Sequence, residues 1–147
     1  MLGEHRLACK RSVMINSKFE TLNSKQTQNP NYQNPKPYNL GERTLKFAKK
    51  VIAYVNELPK TASNIEVGKQ LIRAGGSVGA NYMEAEESLS KKDFAMRIKI
   101  SRKESKESRY WLNLSEPKEG RIKEREELIQ EATELMKIFG SIVEKCK

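Results

Sequence analysis

From Asn39 to the end of the chain, apolar and small residues recur every three or four positions in four successive segments. This spacing matches the α-helical repeat of about 3.6 residues per turn and puts the recurring residues on one face of each segment. Only short stretches with proline, glycine or serine separate the segments, so consecutive helices are expected to run antiparallel. The pattern predicts an all-α, antiparallel up-down-up-down four-helix bundle over residues 39–147.

Polar residues that cap helices precede the predicted helices, and proline or glycine follows them. A capping side chain accepts a hydrogen bond from a backbone N–H group that lacks a partner in the first turn. The predicted starts are Asn39 with Glu42, Ser63 with Glu66, Ser90 with Asp93, and Arg121, and the predicted breaks are Pro59, Glu116, Pro117 and Gly120. The faces predicted to be buried are Thr44, Phe47, Ala48, Val51, Ile52, Val55 and Leu58; Leu71, Gly75, Val78, Tyr82, Ala85 and Leu89; Phe94, Ile98, Ser101, Ser105, Ser108 and Leu112; and Leu128, Ala132, Leu135, Phe139 and Ile142.

Residues 1–38 differ from the rest and end in QTQNPNYQNPKPYN, where asparagine, glutamine and proline dominate. Such a stretch buries too little apolar surface to offset its chain entropy, which predicts a disordered or poorly ordered tail. It holds six Lys or Arg against two Glu. Two interpretations stay open: a nucleic-acid-binding arm, or upstream sequence captured by an early start codon, with Met14 as a later start.

The whole chain is basic, with 28 Lys and Arg against 19 Asp and Glu and a net charge of +9. This excess favours anionic partners, nucleic acid first and acidic protein or membrane surfaces second. The alternative is a solvated surface that is merely basic. No apolar run reaches the roughly 18 residues of a membrane span, and the two cysteines fit no metal-ligand spacing. A cytoplasmic protein is therefore expected.

The stretch RAGGSVGANYMEAEES, residues 73–88, has the composition of an active site but not its spacing. It lacks the lysine and the preceding strand of a phosphate-binding loop. Di-metal sites in bundles also need Glu-x-x-His pairs, and the only histidine, His5, lies in the tail. We predict no catalytic residue, metal or cofactor, and we interpret Glu84 and Glu87 as surface charges or inter-subunit ion pairs.

The glycines of this stretch need another explanation, since each costs about 1 kcal/mol relative to alanine inside a helix. We interpret Gly75, Gly76 and Gly79 as a site of close helix packing or an oligomer interface. Within the bundle they would leave room for a bulky neighbour such as Phe94 or Trp111.

The third predicted helix carries cations at spacings of three and four, which place them on one face. These predicted phosphate-binding residues are Lys99, Arg102, Lys103, Lys106 and Arg109. Tyr110 and Trp111 follow at the end of this face, where aromatic rings can stack on bases. Glu104 and Glu107 lie alongside and dilute the charge. The alternative is a solvated face, with Trp111 as a core anchor.

Several motifs resemble one known family: LIRAGGSVGANYMEAEES, SKKDFAMRIKISRKESKESRYWL, ERTLKFAKKVIAYVNELPK and ELMKIFGSIV. They are similar to the four-helix-bundle proteins encoded in intervening sequences of bacterial 23S ribosomal RNA genes. The resemblance spans about residues 40–143 and implies a homo-oligomer, since members assemble as pentameric rings. A related accessory protein of diversity-generating retroelements is a basic pentamer that binds nucleic acid and partners a reverse transcriptase. The family has no established molecular function and supplies no catalytic residues.

Two functional hypotheses follow. The leading one is a non-enzymatic, basic, oligomeric bundle that binds RNA or DNA through phosphates, with Arg73 and Arg97 as weaker contributors. The alternative is a protein-interaction scaffold that docks a nucleic-acid-processing enzyme without binding nucleic acid itself.

Overall fold

The computed structural model describes residues 39–147, which fold into four helices joined by short loops. The helices are α1, Leu40–Asn56; α2, Ala62–Glu86; α3, Lys91–Leu114; and α4, Ile122–Lys145, which follows a 3-10 turn at Glu119–Arg121. The predicted antiparallel up-down-up-down four-helix bundle is confirmed. The tail predicted for residues 1–38 lies outside the described residues. None of the helices in residues 39–147 is long and apolar enough to cross a membrane.

The core lies between all four helices, but the helices do not share their contacts equally. α2 and α3 pack along most of their lengths, as do α3 and α4, whereas α1 lies mainly on α2 and makes a short contact with α4. Phe47, Tyr54 and Phe139 are the largest fully buried side chains. Every residue of the predicted face of α3, from Phe94 to Leu112, is buried. That face was predicted correctly.

The middle of the buried α3 face is a line of three serines, each fully buried. Ser101 donates its hydroxyl hydrogen bond across the helix interface to the carbonyl of Val78, at 2.9 Å. Ser105 and Ser108 donate to carbonyls four residues earlier in α3, each at 2.8 Å. Because every hydroxyl has an acceptor, the line can be buried without leaving a polar group unsatisfied.

Two of the predicted helix caps are present and one is displaced. Asn39 accepts a hydrogen bond from the Glu42 N–H, and Ser90 accepts one from the Asp93 N–H. For α2 the predicted Ser63 cap is wrong, because Thr61 is the cap and its hydroxyl accepts from the backbone of Asn64. Thr61 has the extended backbone that a cap requires, and Ser63 lies inside the first turn.

Leu89 and Ile52 were predicted to be buried, but both are exposed. α2 ends at Glu86, so Leu89 falls in the connecting loop and is 78% exposed. Ser88 is buried there instead and donates to the Ala85 carbonyl. Ile52 lies one residue beyond the buried Val51 and turns out of the core at the edge of the α1–α2 contact.

Two glycines of the RAGGSVGANYMEAEES stretch let α1 approach α2 closely. A methyl group at Gly75 would lie 3.1 Å from Cγ1 of Val51, and one at Gly79 would lie 2.9 Å from Oγ1 of Thr44. Their close neighbours therefore belong to α1, whereas we had suggested Phe94 or Trp111. A methyl group at Gly76 would meet no atom within 4 Å, so close packing within the described bundle does not account for this glycine.

A third glycine, Gly68, completes the same contact and was not singled out from the sequence. A methyl group there would lie 2.8 Å from Cγ1 of Val55. Gly68 stands seven residues before Gly75, which puts both on the same face of α2. This seven-residue spacing is the sequence feature that could have identified Gly68 as part of the contact.

An ion-pair cluster joins α1 to α4, which make only a short contact with each other. The Arg43 guanidinium donates to both carboxylate oxygens of Glu131, at 2.7 and 2.9 Å, and to Glu134 at 2.6 Å. The hydrogen bond from Arg43 holds the pKa of the Glu131 carboxyl below its usual range, against the opposing effect of partial burial. A bidentate pair of this kind fixes the relative orientation of the two side chains better than a single hydrogen bond does.

We predict that Gly79→Ala destabilises the bundle whereas Gly76→Ala stabilises it. Either change should gain up to about 1 kcal/mol of helix propensity. At Gly79 overpacking should cost about 1–3 kcal/mol, because Thr44 cannot move away without breaking its hydrogen bonds to Leu40 and Gly41. Urea unfolding, followed by circular dichroism at one protein concentration, measures both variants. Equal stability of the two would contradict the close approach at Gly79.

Candidate nucleic-acid interface

The five cations predicted to bind phosphate lie together on the outer surface of α3. We call them the cationic strip: Lys99, Arg102, Lys103, Lys106 and Arg109. All are exposed except Arg109, which is partly buried. They span eleven residues of one unbroken helix, or about 15 Å along its axis. The strip is therefore a continuous band of positive charge rather than a set of scattered side chains.

None of the strip residues forms an ion pair within residues 39–147. The cations at the start of α4 behave differently, since Arg121 pairs with Glu57 and Glu124, and Arg125 with Glu126. Like charges one turn apart repel one another, so the strip gains no stabilisation from its own spacing. Its positive charge remains available to an anion from solution.

The strip lies on the side of α3 that faces α4. The stem of Arg102 passes over Gly140 of α4, where an added methyl group would lie 3.7 Å from its Cδ. Glu144 lies one helical turn after Gly140, and Lys147 donates a hydrogen bond to its carboxylate at 2.7 Å. Lys147 lowers the pKa of Glu144, and Arg102 adds a smaller effect.

The two glutamates expected to dilute the strip are both partly buried and form no ion pair with a strip residue. Glu104 is partly buried towards α2, and burial raises the pKa of its carboxyl, with Glu107 adding to the effect and Lys103 and Arg73 opposing it. Glu107 accepts a hydrogen bond from the Trp111 indole at 3.3 Å. Neither glutamate therefore neutralises a strip cation by direct contact.

The structure separates the two aromatic residues that follow the strip. Trp111 is partly buried and packs against the core, in agreement with the alternative interpretation of this residue as a core anchor. Tyr110 is 58% exposed and lies one helical turn after Lys106 in α3. The rings meet at a 73° angle with 5.0 Å between their centroids. Of the two, only Tyr110 has a ring that a ligand on the strip can reach.

Arg73 and Arg97, the weaker candidates, are not part of the strip. Arg97 donates to the side-chain oxygen of Asn81 in α2 at 3.3 Å, and Arg73 is an exposed residue of α2 near Glu104. Glu84 and Glu87 are exposed at the end of α2. Within residues 39–147, no group of three or more acidic, cysteine or histidine side chains is arranged to hold a metal ion.

A second surface is apolar and lies along the outer side of the α1–α2 contact. We call the following exposed residues the apolar face: Leu45, Ile52, Ile65, Ile72 and Met83. Leu45 and Ile52 directly follow the α1 residues that touch the glycines, and Ile72 and Met83 lie one turn beyond Gly68 and Gly79. Exposed Gly76 belongs to the same side of α2 and leaves a gap in this face.

The fourth helix does not present a comparable exposed line. Ile129, Met136 and Val143 recur at helical spacing in α4 and form a second apolar stripe beside its predicted buried face. In the structure Val143 is buried in the core, and Ile129 and Met136 are partly buried. This second stripe is therefore the broad inner face of a bundle helix, which commonly uses three positions in seven.

The chain is similar to a known family over almost the whole bundle. The model of the 23S rRNA-intervening sequence protein family matches residues 38–141, which include the four helices except the last turn of α4. The chain belongs to the 23S rRNA-intervening sequence protein family. The family assignment expected from the motifs of α2 and α3 is thereby confirmed. No curated protein matches the chain.

One solved structure supports the family membership. It is a protein of unknown function from the S23 ribosomal protein family of Bacteroides thetaiotaomicron. The two chains are 29% identical and superpose with a TM-score of 0.62, which covers 71% of this chain and 98% of the other. The shared part is thus the bundle, and almost nothing of the other chain is missing from it.

We predict that removing charge from the strip leaves folding intact. The triple change Lys99→Gln, Lys103→Gln, Lys106→Gln should alter the free energy of unfolding by no more than about 0.5 kcal/mol, or raise it slightly, because it removes repulsion and no ion pair. Arg43→Gln is the contrasting variant and should destabilise the bundle by about 1–3 kcal/mol, since it strands Glu131. Denaturant unfolding measures both, and a large loss of stability in the triple variant would contradict the unpaired state of the strip.

Proposed function

We propose that this protein is a non-enzymatic, oligomeric bundle that binds RNA or DNA through contacts of the cationic strip with phosphates. The observation that carries the proposal is five cations on one helix face without an ion pair in the described bundle. Phosphates are the ligands such a band attracts, and binding releases the counterions condensed on the nucleic acid. The family description, which concerns an intervening sequence of 23S rRNA, is consistent with a nucleic-acid context.

The proposal assigns no reaction to the bundle. Acid–base or metal chemistry needs titratable groups that converge on a pocket. A cavity of about 190 Å³ between α1 and α4 is lined by Lys50, Leu128 and three glutamates. Of these glutamates, Glu131 is engaged by Arg43, and its lowered pKa is the opposite of what a general acid needs. We therefore favour a binding function over a catalytic one.

Self-association is the second part of the proposal. The apolar face exposes five large side chains along two adjacent helices, and Met83 is 64% exposed. Contiguous apolar surface of this kind marks an interaction site in a soluble protein. A second copy fits it, because Gly76 leaves space for a side chain from a neighbour. The ring of five implied by the family resemblance is the assembly we expect.

Binding should depend steeply on salt and on the strip. We predict that the affinity of the full-length chain for a labelled RNA falls as salt rises, with a slope of about −0.7 per neutralised phosphate of a single strand. The triple change Lys99→Gln, Lys103→Gln, Lys106→Gln should weaken binding at least tenfold and flatten the slope. Filter binding over a salt series measures both quantities.

A matched control removes the same charge elsewhere. Lys46, Lys49 and Lys60 are exposed and without ion pairs in the described bundle, and they lie away from α3. Their combined change to glutamine should leave most of the affinity intact. Equal losses of affinity in the two triple variants would show that the strip binds nucleic acid no better than other surface lysines do. Undetectable binding at low salt would favour the alternative, a scaffold that docks a nucleic-acid enzyme.

The apolar face should control assembly. We predict that Ile52→Glu with Ile72→Glu converts the oligomer to monomers, because burying two carboxylates in an apolar contact is strongly unfavourable. Met96→Glu with Leu114→Glu changes two exposed apolar residues of α3 and should leave assembly unchanged. Native mass spectrometry or light scattering gives the subunit number. A monomeric unaltered protein at micromolar concentration would refute self-association.

A further inference from the structure

We infer that the cationic strip binds single-stranded rather than duplex nucleic acid, and that Tyr110 stacks on one unpaired base of that strand. This inference rests on the proposed function and makes it more specific. It adds a base contact to a surface that otherwise offers only charge. No other exposed aromatic residue of residues 39–147 lies beside the strip.

Tyr110 continues the outer line of the strip. Lys99, Lys103, Lys106 and Tyr110 follow one another at steps of four, three and four residues, so they form one row along α3. The tyrosine stands about 6 Å beyond Lys106 along the helix axis. A strand whose phosphates follow the lysines is therefore led to the aromatic ring.

The surroundings of Tyr110 hold its ring in place while leaving it accessible. Trp111 packs against the core and donates its indole N–H to Glu107, so the neighbouring ring is anchored. Tyr110 meets that ring at 5.0 Å and is nevertheless 58% exposed. An exposed but supported ring loses little conformational freedom when a base stacks on it.

The position of α3 in the bundle disfavours duplex recognition. A helix that reads a duplex enters the major groove, which requires it to project from the protein. α3 instead packs along its length against α2 on one side and α4 on the other. In a duplex the bases are stacked inside, whereas an unpaired base can stack on an aromatic side chain. Only a single strand can therefore use both the lysines and Tyr110.

The test compares full-length protein and variants on one 20-nucleotide sequence in three forms: single-stranded, duplex, and single-stranded with abasic sites throughout. RNA and DNA versions are both used, and fluorescence anisotropy at fixed low salt gives each Kd. We expect Tyr110→Ala to bind the intact single strand about 5-fold to 100-fold more weakly, the range for loss of one base–aromatic contact. Its affinity for the duplex and for the abasic strand should not change.

Two further variants distinguish the loss of the stacking contact from a general disturbance of the α3 surface. Tyr110→Phe keeps the ring and should bind the intact strand like the unaltered protein. Leu114→Ala removes an exposed apolar side chain one turn further along α3 and should have no effect. The emission of Trp111, the only tryptophan, should also change when the intact strand binds and stay constant with the abasic strand.

The outcomes distinguish this inference from the proposed function. If abasic and intact strands bind equally, or if Tyr110→Ala has no effect, the stacking contact is wrong while phosphate binding stands. Tighter binding of the duplex than of the single strand would overturn the single-strand preference. If none of the three forms binds, the proposed function fails and this inference fails with it.

Discussion

Close approach of helices through small residues is the constraint on which the bundle depends. α1 reaches α2 at Gly68, Gly75 and Gly79, where an added methyl group would lie 2.8 to 3.1 Å from a β-branched residue of α1. α3 reaches α2 through fully buried serines, of which Ser101 bonds directly to a carbonyl of α2. Since these positions hold no large side chains, α2 can touch helices on both sides at short distance. The large aromatic residues then fill the spaces between helices rather than the contacts themselves.

This packing also decides which charges remain free. Most acidic residues of α4 have partners, through Arg43 on α1 or within the helix itself. Where α4 passes under the cationic strip it presents Gly140, which leaves room for the stem of Arg102 and supplies no carboxylate. Glu104 is partly buried and Glu107 accepts a hydrogen bond from Trp111, and neither pairs with a strip cation. The unpaired strip is thus a consequence of helix geometry and not of a high local content of lysine.

Much of the fold follows from the sequence because helical periodicity and caps are local signals. The buried line from Phe94 to Leu112 and the cap at Ser90 were predicted correctly, since both depend on spacing within one helix. The predictions were wrong where two residues compete to cap the same helix, or where two elements meet. Thr61 replaced Ser63 as the cap, and Leu89 left the helix because α2 ends a turn earlier than its apolar pattern. The sequence of one helix does not show which neighbouring helix a glycine contacts. Gly76 was therefore grouped with Gly75 and Gly79, although only those two touch α1.

The candidate interface shows the same division between local and long-range information. The five cations share a face because of their spacing, which the sequence reveals. Their lack of partners, and the different exposure of Tyr110 and Trp111, depend on where α2 and α4 lie.

The two exposed surfaces lie on opposite sides of the bundle, which bears on how they would act together. The apolar face follows the outer edge of α1 and α2, while the strip faces the edge formed by α3 and α4. Association through the first surface therefore leaves the second exposed on every subunit. In the proposed oligomer a long strand meets several strips, and each later contact forms at a high effective concentration. Modest affinity at a single strip is then sufficient for tight binding by the assembly.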